Sequence, residues 1–193
     1  MAEPGVVSQR ELDKPSMNFP TSTSDRYKVW IAQGFGVGRL RYAPGTWGSL
    51  LGVAWTLLLL CSQSLWIYTI VTVLGLFLSV QICGAAEKIL NTSDPSSVVL
   101  DEISAFPICL MPLALWNLAH GFGFSGVFGW IGAWHGWLFP AAFALFRLFD
   151  IWKPAPIRQS QMLAGGWGVT IDDALAALAA GLVLLLFSAT SRT

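Results

Sequence analysis

The chain has 193 residues, a formal net charge of zero, 54% hydrophobic and 11% charged residues, and a mean hydropathy of +0.61. A soluble domain carries about 25% charged residues, so this composition excludes an ordinary globular protein and indicates an integral membrane protein. The length suits one compact bundle, and the neutral balance, with no basic helix or RNA-binding aromatic signature, argues against a nucleic-acid partner.

Residues 1–27 read as a disordered polar cytosolic tail. Glu3, Arg10, Glu11, Asp13 and Lys14 fall there, and no apolar run of the signal-peptide kind accompanies them. Residues 28–193 read as the membrane domain. The expected fold is all-α, a multi-pass integral membrane helical bundle with about four to five apolar helices.

Five apolar segments follow in order. They run from about Thr46 to Cys61, Leu65 to Ala86 (continuing as helix to Leu90), Pro95 to Trp116, Gly132 to Asp150, and Ile171 to Ala189. A spanning helix needs about 20 apolar residues. The second, third and fifth meet this easily. The first is short enough to be partly buried or re-entrant, and Pro140 interrupts the fourth.

Charge is absent from Tyr42–Ala86, from Ile103–Phe146 and from Ala174–Ser191. Lys and Arg gather before segment one, between two and three, and between four and five. With five spans, that pattern places the N-terminus and every charged cluster on the cytoplasmic side. Trp30, Trp47, Trp116, Trp130, Trp134, Trp137, Trp152 and Trp167 fall near segment ends, as interfacial anchors do. Cys61, Cys83 and Cys109 lack metal or redox spacing and read as small core residues. His120 and His135 lie far from the acids and read as interfacial.

Four polar blocks punctuate the apolar sequence. Gly34–Ser49 is a glycine-rich loop entering segment one, with Arg39 and Arg41 for charge and Thr46 or Ser49 as a cap or a phosphate hydrogen-bond donor. A tight juxtamembrane turn accounts for the glycines equally well. Asp94 reads as an N-cap with Pro95 at the first helical position. Asp101 and Glu102 would then sit two turns inside that helix, where capping cannot explain them and a functional role is favoured. Arg147, Asp150 and Lys153 share one face at i,i+3 spacing, with Arg158 beyond Pro154 and Pro156. These cations suit a phosphate, although a surface ion-pair ladder would look the same. Thr170 and Asp173 have the spacing of a capping box, which leaves Asp172 unexplained.

Taken together, GFGVGRLRYAPGTWGSL at Gly34–Leu50, DPSSVVLDE at Asp94–Glu102, FRLFDIWKPAPI at Phe146–Ile157 and GGWGVTIDDALAA at Gly165–Ala177 resemble the phosphatidylglycerophosphatase A family in order and spacing. The resemblance runs from about Ile31 to Phe187. Ala105, Thr170 and Ala176-Ala177 depart from the family's usual Gly, Met and Ala-Gly, while every acidic position is kept.

The resemblance implies a Mg²⁺-dependent phosphomonoesterase of the bacterial cytoplasmic membrane, its active site facing the cytoplasm. It would convert the membrane phospholipid phosphatidylglycerol phosphate to phosphatidylglycerol and inorganic phosphate. The residues then fall into roles. Asp101, Glu102, Asp172 and Asp173 would hold Mg²⁺, with Asp94 as a further ligand or as a group that steadies the ligands from behind. Arg147 and Lys153 would neutralise the phosphoryl charge. Arg39, Thr46, Ser49, Asp150 and Arg158 would bind substrate. Direct water attack and an aspartyl-phosphate intermediate are both compatible with these residues. A small membrane transporter would also carry intramembrane acids, but nearer the midplane. A non-catalytic membrane assembly subunit gives no reason for the acids. Nothing in the sequence sets the oligomeric state.

Overall fold

The structure, a computed structural model, describes residues 22–121, 123–124, 132 and 136–190; all regular structure among them is helical. The tail up to residue 21, Trp130, Trp134, His135 and Arg192 lie outside the described residues.

Helix α1 (Thr23–Ala32) was not anticipated, because its mixed polar sequence has no apolar period. It packs on α3, with Val29 and Ala32 in a small core beside Cys83, Ala86 and Val98. Regular helix is thus already present at Thr23, ahead of residue 28.

The glycine-rich loop then folds back on the segment before α4. Gly34, Phe35 and Gly36 all have positive φ. Gly38 lies so close to the Ser97 carbonyl that any Cβ there would collide with it. The Val99 amide donates to the Ala32 carbonyl (2.9 Å), and Gln33 Nε2 donates to Ser97 Oγ (3.2 Å). These glycines serve close backbone packing.

Helix α2 (Pro44–Leu60) begins with Pro44 at a position where the missing N–H costs nothing. Its N-cap is Ala43 in the left-handed region (φ 47°), so neither Thr46 nor Ser49 caps it. Helix α3 (Leu65–Leu90) starts under a Ser64 cap and runs unbroken through Glu87 and Lys88 to Asn91, which is left-handed. At 1.5 Å per residue it is about 39 Å long, enough to cross a bilayer core of about 30 Å.

The third segment departs from expectation. Asp94 is exposed with φ 48° and caps nothing, and regular helix starts only at Leu100. Helix α4 (Leu100–Ala105) passes into a 3₁₀ stretch, Phe106–Leu110, and then α5 (Met111–Ala119). Asp101 and Glu102 thus stand in a first turn, not two turns in. Pro107 and Pro112 lack the N–H groups that a continuous α-helix needs there, which suits the change of pitch. Tyr68 Oη donates to the Pro107 carbonyl (2.6 Å).

Helix α6 (Leu138–Trp152) places Pro140 in its first turn, where it interrupts nothing. It ends at Lys153 in the left-handed region, before Pro154. The short α7 (Ala155–Ser160) follows, then α8 (Gly166–Thr190), which starts five residues before the expected Ile171. Thr170 is therefore inside α8. Its hydroxyl lies 3.4 Å from Ser79 Oγ on α3, and no capping box forms.

Helix α8 is the hub, touching α3, α4, α5, α6 and α7. Among the described residues, three stretches are long and apolar enough to cross a membrane: α3, Leu100–Ala119 and Gly166–Ser188; α2 is apolar but shorter. Helix α3 turns Trp66, Ile70, Val73, Leu74, Phe77 and Leu78 outward, a stripe suited to lipid. The chain is a membrane protein. Cys83 and Cys109 are buried as expected, whereas Cys61 is exposed.

Candidate active site

The starts of α2, α4 and α8 and the end of α6 meet at one end of the bundle. They enclose an open cleft of about 260 Å³. Asp94, Asp101, Glu102, Arg147, Asp150, Lys153, Asp172 and Asp173 all line it, beside Ala43, Pro44 and Gly45. Residues spread over 80 positions of sequence are thereby gathered by helix packing alone.

Two cationic arms organise the cleft. Arg147 Nη1 lies 2.7 Å from Asp150 Oδ2 and 3.3 Å from Glu102 Oε1. Ser49, buried on α2, donates to Glu102 Oε2 (2.6 Å) and also lies 2.8 Å from the Gly45 carbonyl. A side chain at Gly45 would strike the Glu102 carboxylate and crowd the Arg147 guanidinium. Lys153 Nζ lies 2.6 Å from Asp172 Oδ2 and 3.9 Å from Asp150 Oδ1. Gln161 Nε2 donates to the same Asp172 oxygen (2.9 Å). Burial pulls the Lys153 ammonium toward its neutral form. The hydrogen bond and charge of Asp172, with Asp150 and Asp173, outweigh that and hold its pKa above the ordinary lysine value. This arm is a permanent cation at neutral pH.

Two carboxylates stand apart from the cations. Asp101 and Asp173 are each only 4% exposed, and neither forms an ion pair among the described residues. Asp101 Oδ1 accepts the Glu102 amide (3.0 Å); the Asp173 carboxylate accepts no hydrogen bond among the described residues. Leaving a buried carboxylate without a cation costs several kcal/mol on the order-of-magnitude scale. Two such carboxylates in one cleft are an arrangement that a bound cation would offset.

The donor chemistry fits a hard divalent cation. The cleft presents six carboxylates against two basic side chains, an excess that would repel a phosphate unless a cation offset it. No group of three ligand side chains stands at metal-binding spacing among the described residues. Mg²⁺ does not require one, since it keeps several waters and is commonly held by one or two carboxylates together with substrate phosphate.

Some sequence-predicted residues are elsewhere. Arg39 is exposed and donates to Gln33 Oε1 (2.6 Å), bracing the glycine-rich loop. Thr46 is half-buried on α2 and does not line the cleft. Arg158 is exposed on α7, also outside it. Ser49 acts behind Glu102. Gln161 was missed by sequence reasoning. A lone glutamine past a proline-rich bend gives no signal, and only the turn between α7 and α8 aims it at Asp172.

The family model for Phosphatidylglycerophosphatase A matches residues 30–188. A relative of that name from Haemophilus influenzae is 37% identical over 157 residues, 80% of this chain and 84% of the relative. The Escherichia coli protein of the same name is 32% identical over 159 residues, 81% of each chain. A Bacteroides thetaiotaomicron protein with the provisional name phosphatidylinositol-3-phosphatase is 36% identical over 152 residues, 77% of this chain and 85% of that one. No solved structure matches the chain. The four sequence blocks that carry the cleft residues all lie inside the matched region, and the chain belongs to the phosphatidylglycerophosphatase A family.

Proposed function

We propose that this protein hydrolyses the terminal phosphate of phosphatidylglycerol phosphate, giving phosphatidylglycerol and inorganic phosphate, with Mg²⁺, at the cytoplasmic face of a bacterial inner membrane. The observation that carries this reading is the cleft itself. Among the described residues it is the one place where cationic donors and unpaired carboxylates meet, and it lies at the end of the bundle, where a lipid headgroup can reach it with its acyl chains still in the bilayer.

In this reading Arg147 and Lys153 receive the phosphoryl oxygens. Arg147 Nη2 makes no hydrogen bond among the described residues, and Lys153 has further donors beyond the one on Asp172. Asp150 and Glu102 fix the guanidinium, and Asp172 fixes the ammonium. Asp101 and Asp173, with Asp94 at the mouth, would hold the metal. When bound, Mg²⁺ would neutralise phosphoryl charge and lower the pKa of a coordinated water. The same two carboxylates can orient an attacking water and accept its proton. The water oxygen forms the new bond to phosphorus, and the ester bond breaks. The glycerol oxygen then leaves and takes up a proton.

Positive residues crowd the cleft end. Arg39, Arg41, Lys88, Lys153 and Arg158 all belong to it or to its flanking turns, which supports the cytoplasmic orientation. The Bacteroides relative's name puts the scissile phosphate on inositol. Both named substrates are phosphomonoesters on a hydroxyl-bearing headgroup joined to diacylglycerol by a phosphodiester. Phosphate release from phosphatidylglycerol phosphate by detergent-purified protein, with Mg²⁺ or with chelator, tests the reading. Magnesium-dependent release supports it. No release from folded protein across divalent metals overturns it.

A further inference from the structure

Two more cavities continue from the cleft. The second, about 210 Å³, shares Asp94 and Val169 with it and adds Glu87, Ser93 and Gln161. No Lys or Arg among the described residues lines it. The third, about 350 Å³, shares Gly165 with the second and lies where α3 and the start of α8 cross. Its lining includes Lys88, Gln81 and Trp167. The three cavities thus form a series. The first holds cations and bare carboxylates, the second acids, a hydroxyl and an amide without a cation, and the third a basic group on a lipid-facing edge.

A lysine in the last turn of a spanning helix has an ordinary explanation in the helix dipole and the membrane interface. Lys88 has more than that. It makes no ion pair among the described residues, although its chain neighbour is an acid. Glu87 instead faces the second cavity and accepts the Asp94 amide (2.8 Å). Adjacent helical positions lie about 100° apart, so one turn of α3 presents an acceptor to one cavity and a cation to the next.

We propose that Lys88 binds the phosphodiester of the lipid substrate and that the cavity between it and the cleft holds the glycerol linker. This extends the phosphatase reading and rests on it. The order of the cavities matches the order of groups in the substrate: phosphomonoester, polyol, phosphodiester, acyl chains. Glu87 and Asp94 accept from the linker's hydroxyl and disfavour a second phosphate there. The exposed Trp167 marks the interface beside the phosphodiester. Lys88 is thus a specificity-determining residue, separating lipids with a linking phosphodiester from those with phosphate directly on diacylglycerol.

The two reaction products probe the two ends of the series independently. Phosphatidylglycerol keeps the phosphodiester and glycerol but lacks the scissile phosphate; inorganic phosphate fills only the cleft. Each is titrated as an inhibitor of phosphatidylglycerol phosphate hydrolysis in mixed micelles, for wild type, Lys88→Gln and Lys88→Arg. Loss of one charge-assisted contact is expected to raise both KM and the phosphatidylglycerol inhibition constant about tenfold in Lys88→Gln, with kcat falling less than about twofold. The phosphate inhibition constant stays at its wild-type value, and Lys88→Arg restores most of the loss. An unchanged phosphatidylglycerol constant overturns the proposal, as does a parallel rise in both constants. Absence of hydrolysis by wild type instead overturns the phosphatase reading beneath it.

Discussion

Asp101 and Glu102 are neighbours on α4, and Asp172 and Asp173 are neighbours on α8, yet within each doublet the two carboxylates meet opposite surroundings. Glu102 is held by Arg147 and Ser49, and Asp172 by Lys153 and Gln161. Asp101 and Asp173 reach the same cleft without a cation. The contrast separates two tasks that the sequence presents as one acidic cluster. In the proposed reading the paired acids would position the phosphate-binding arms, and the bare ones would keep charge available for metal and water. Adjacent helical residues point about 100° apart, so within each doublet one acid meets a cation of the cleft and the other reaches the cleft without one.

The sharpest way to break this contrast is to neutralise a bare acid without changing its shape. Asp173→Asn and Asp101→Asn are each expected to lower kcat by about 10²–10³-fold, the scale of losing a preorganised charge at a phosphoryl centre. Their thermal midpoints should match or exceed wild type, because an uncompensated buried charge has gone. Equal activity with lower stability would give these acids a structural role instead.

Removing a cationic arm comes next. Lys153→Gln and Arg147→Gln should cut kcat/KM about 10²-fold. Unlike the bare-acid variants, they should also lower stability, by about 1–3 kcal/mol, because Asp172 or Glu102 is left without its partner; the range is discounted for the partial exposure of both cations. Denaturant unfolding in detergent reads the difference. Ser49→Ala is milder. It removes one hydrogen bond from Glu102 and should cost about tenfold in kcat/KM. Arg39→Ala and Arg158→Ala lie at the bottom of the scale. Neither touches the cleft, and each should change kcat/KM by less than about twofold, the effect of an exposed charge.

Much of the site is legible in the sequence because membrane residues are so short of charge. Once Tyr42–Ala86, Ile103–Phe146 and Ala174–Ser191 are seen to be bare, the acids and cations that separate these three stretches are few, and eight of them line one cleft. What sequence cannot supply is the local geometry that tertiary contacts impose. Asp94-Pro95 has the composition of a helix start. Yet the irregular run to Val99 is claimed by α1 and the glycine-rich loop, through the Val99–Ala32 and Gln33–Ser97 hydrogen bonds, so helix begins only at Leu100. Thr170 and Asp173 fit a capping box, but Gly166 starts α8 a turn earlier and Thr170 faces α3. The division within each doublet, and the part played by Gln161, depend on which side chain meets a distant cation. No spacing rule encodes that.

The most direct test is a magnesium titration of phosphate release from phosphatidylglycerol phosphate, comparing Asp101→Asn with Ser49→Ala, two changes on opposite sides of one doublet. If the bare acid serves the metal, Asp101→Asn abolishes release or moves half-saturation to at least about tenfold higher Mg²⁺, while Ser49→Ala lowers the plateau and keeps the wild-type half-saturation. A wild-type magnesium dependence in Asp101→Asn, or the same shift in both variants, would contradict the division of labour drawn here.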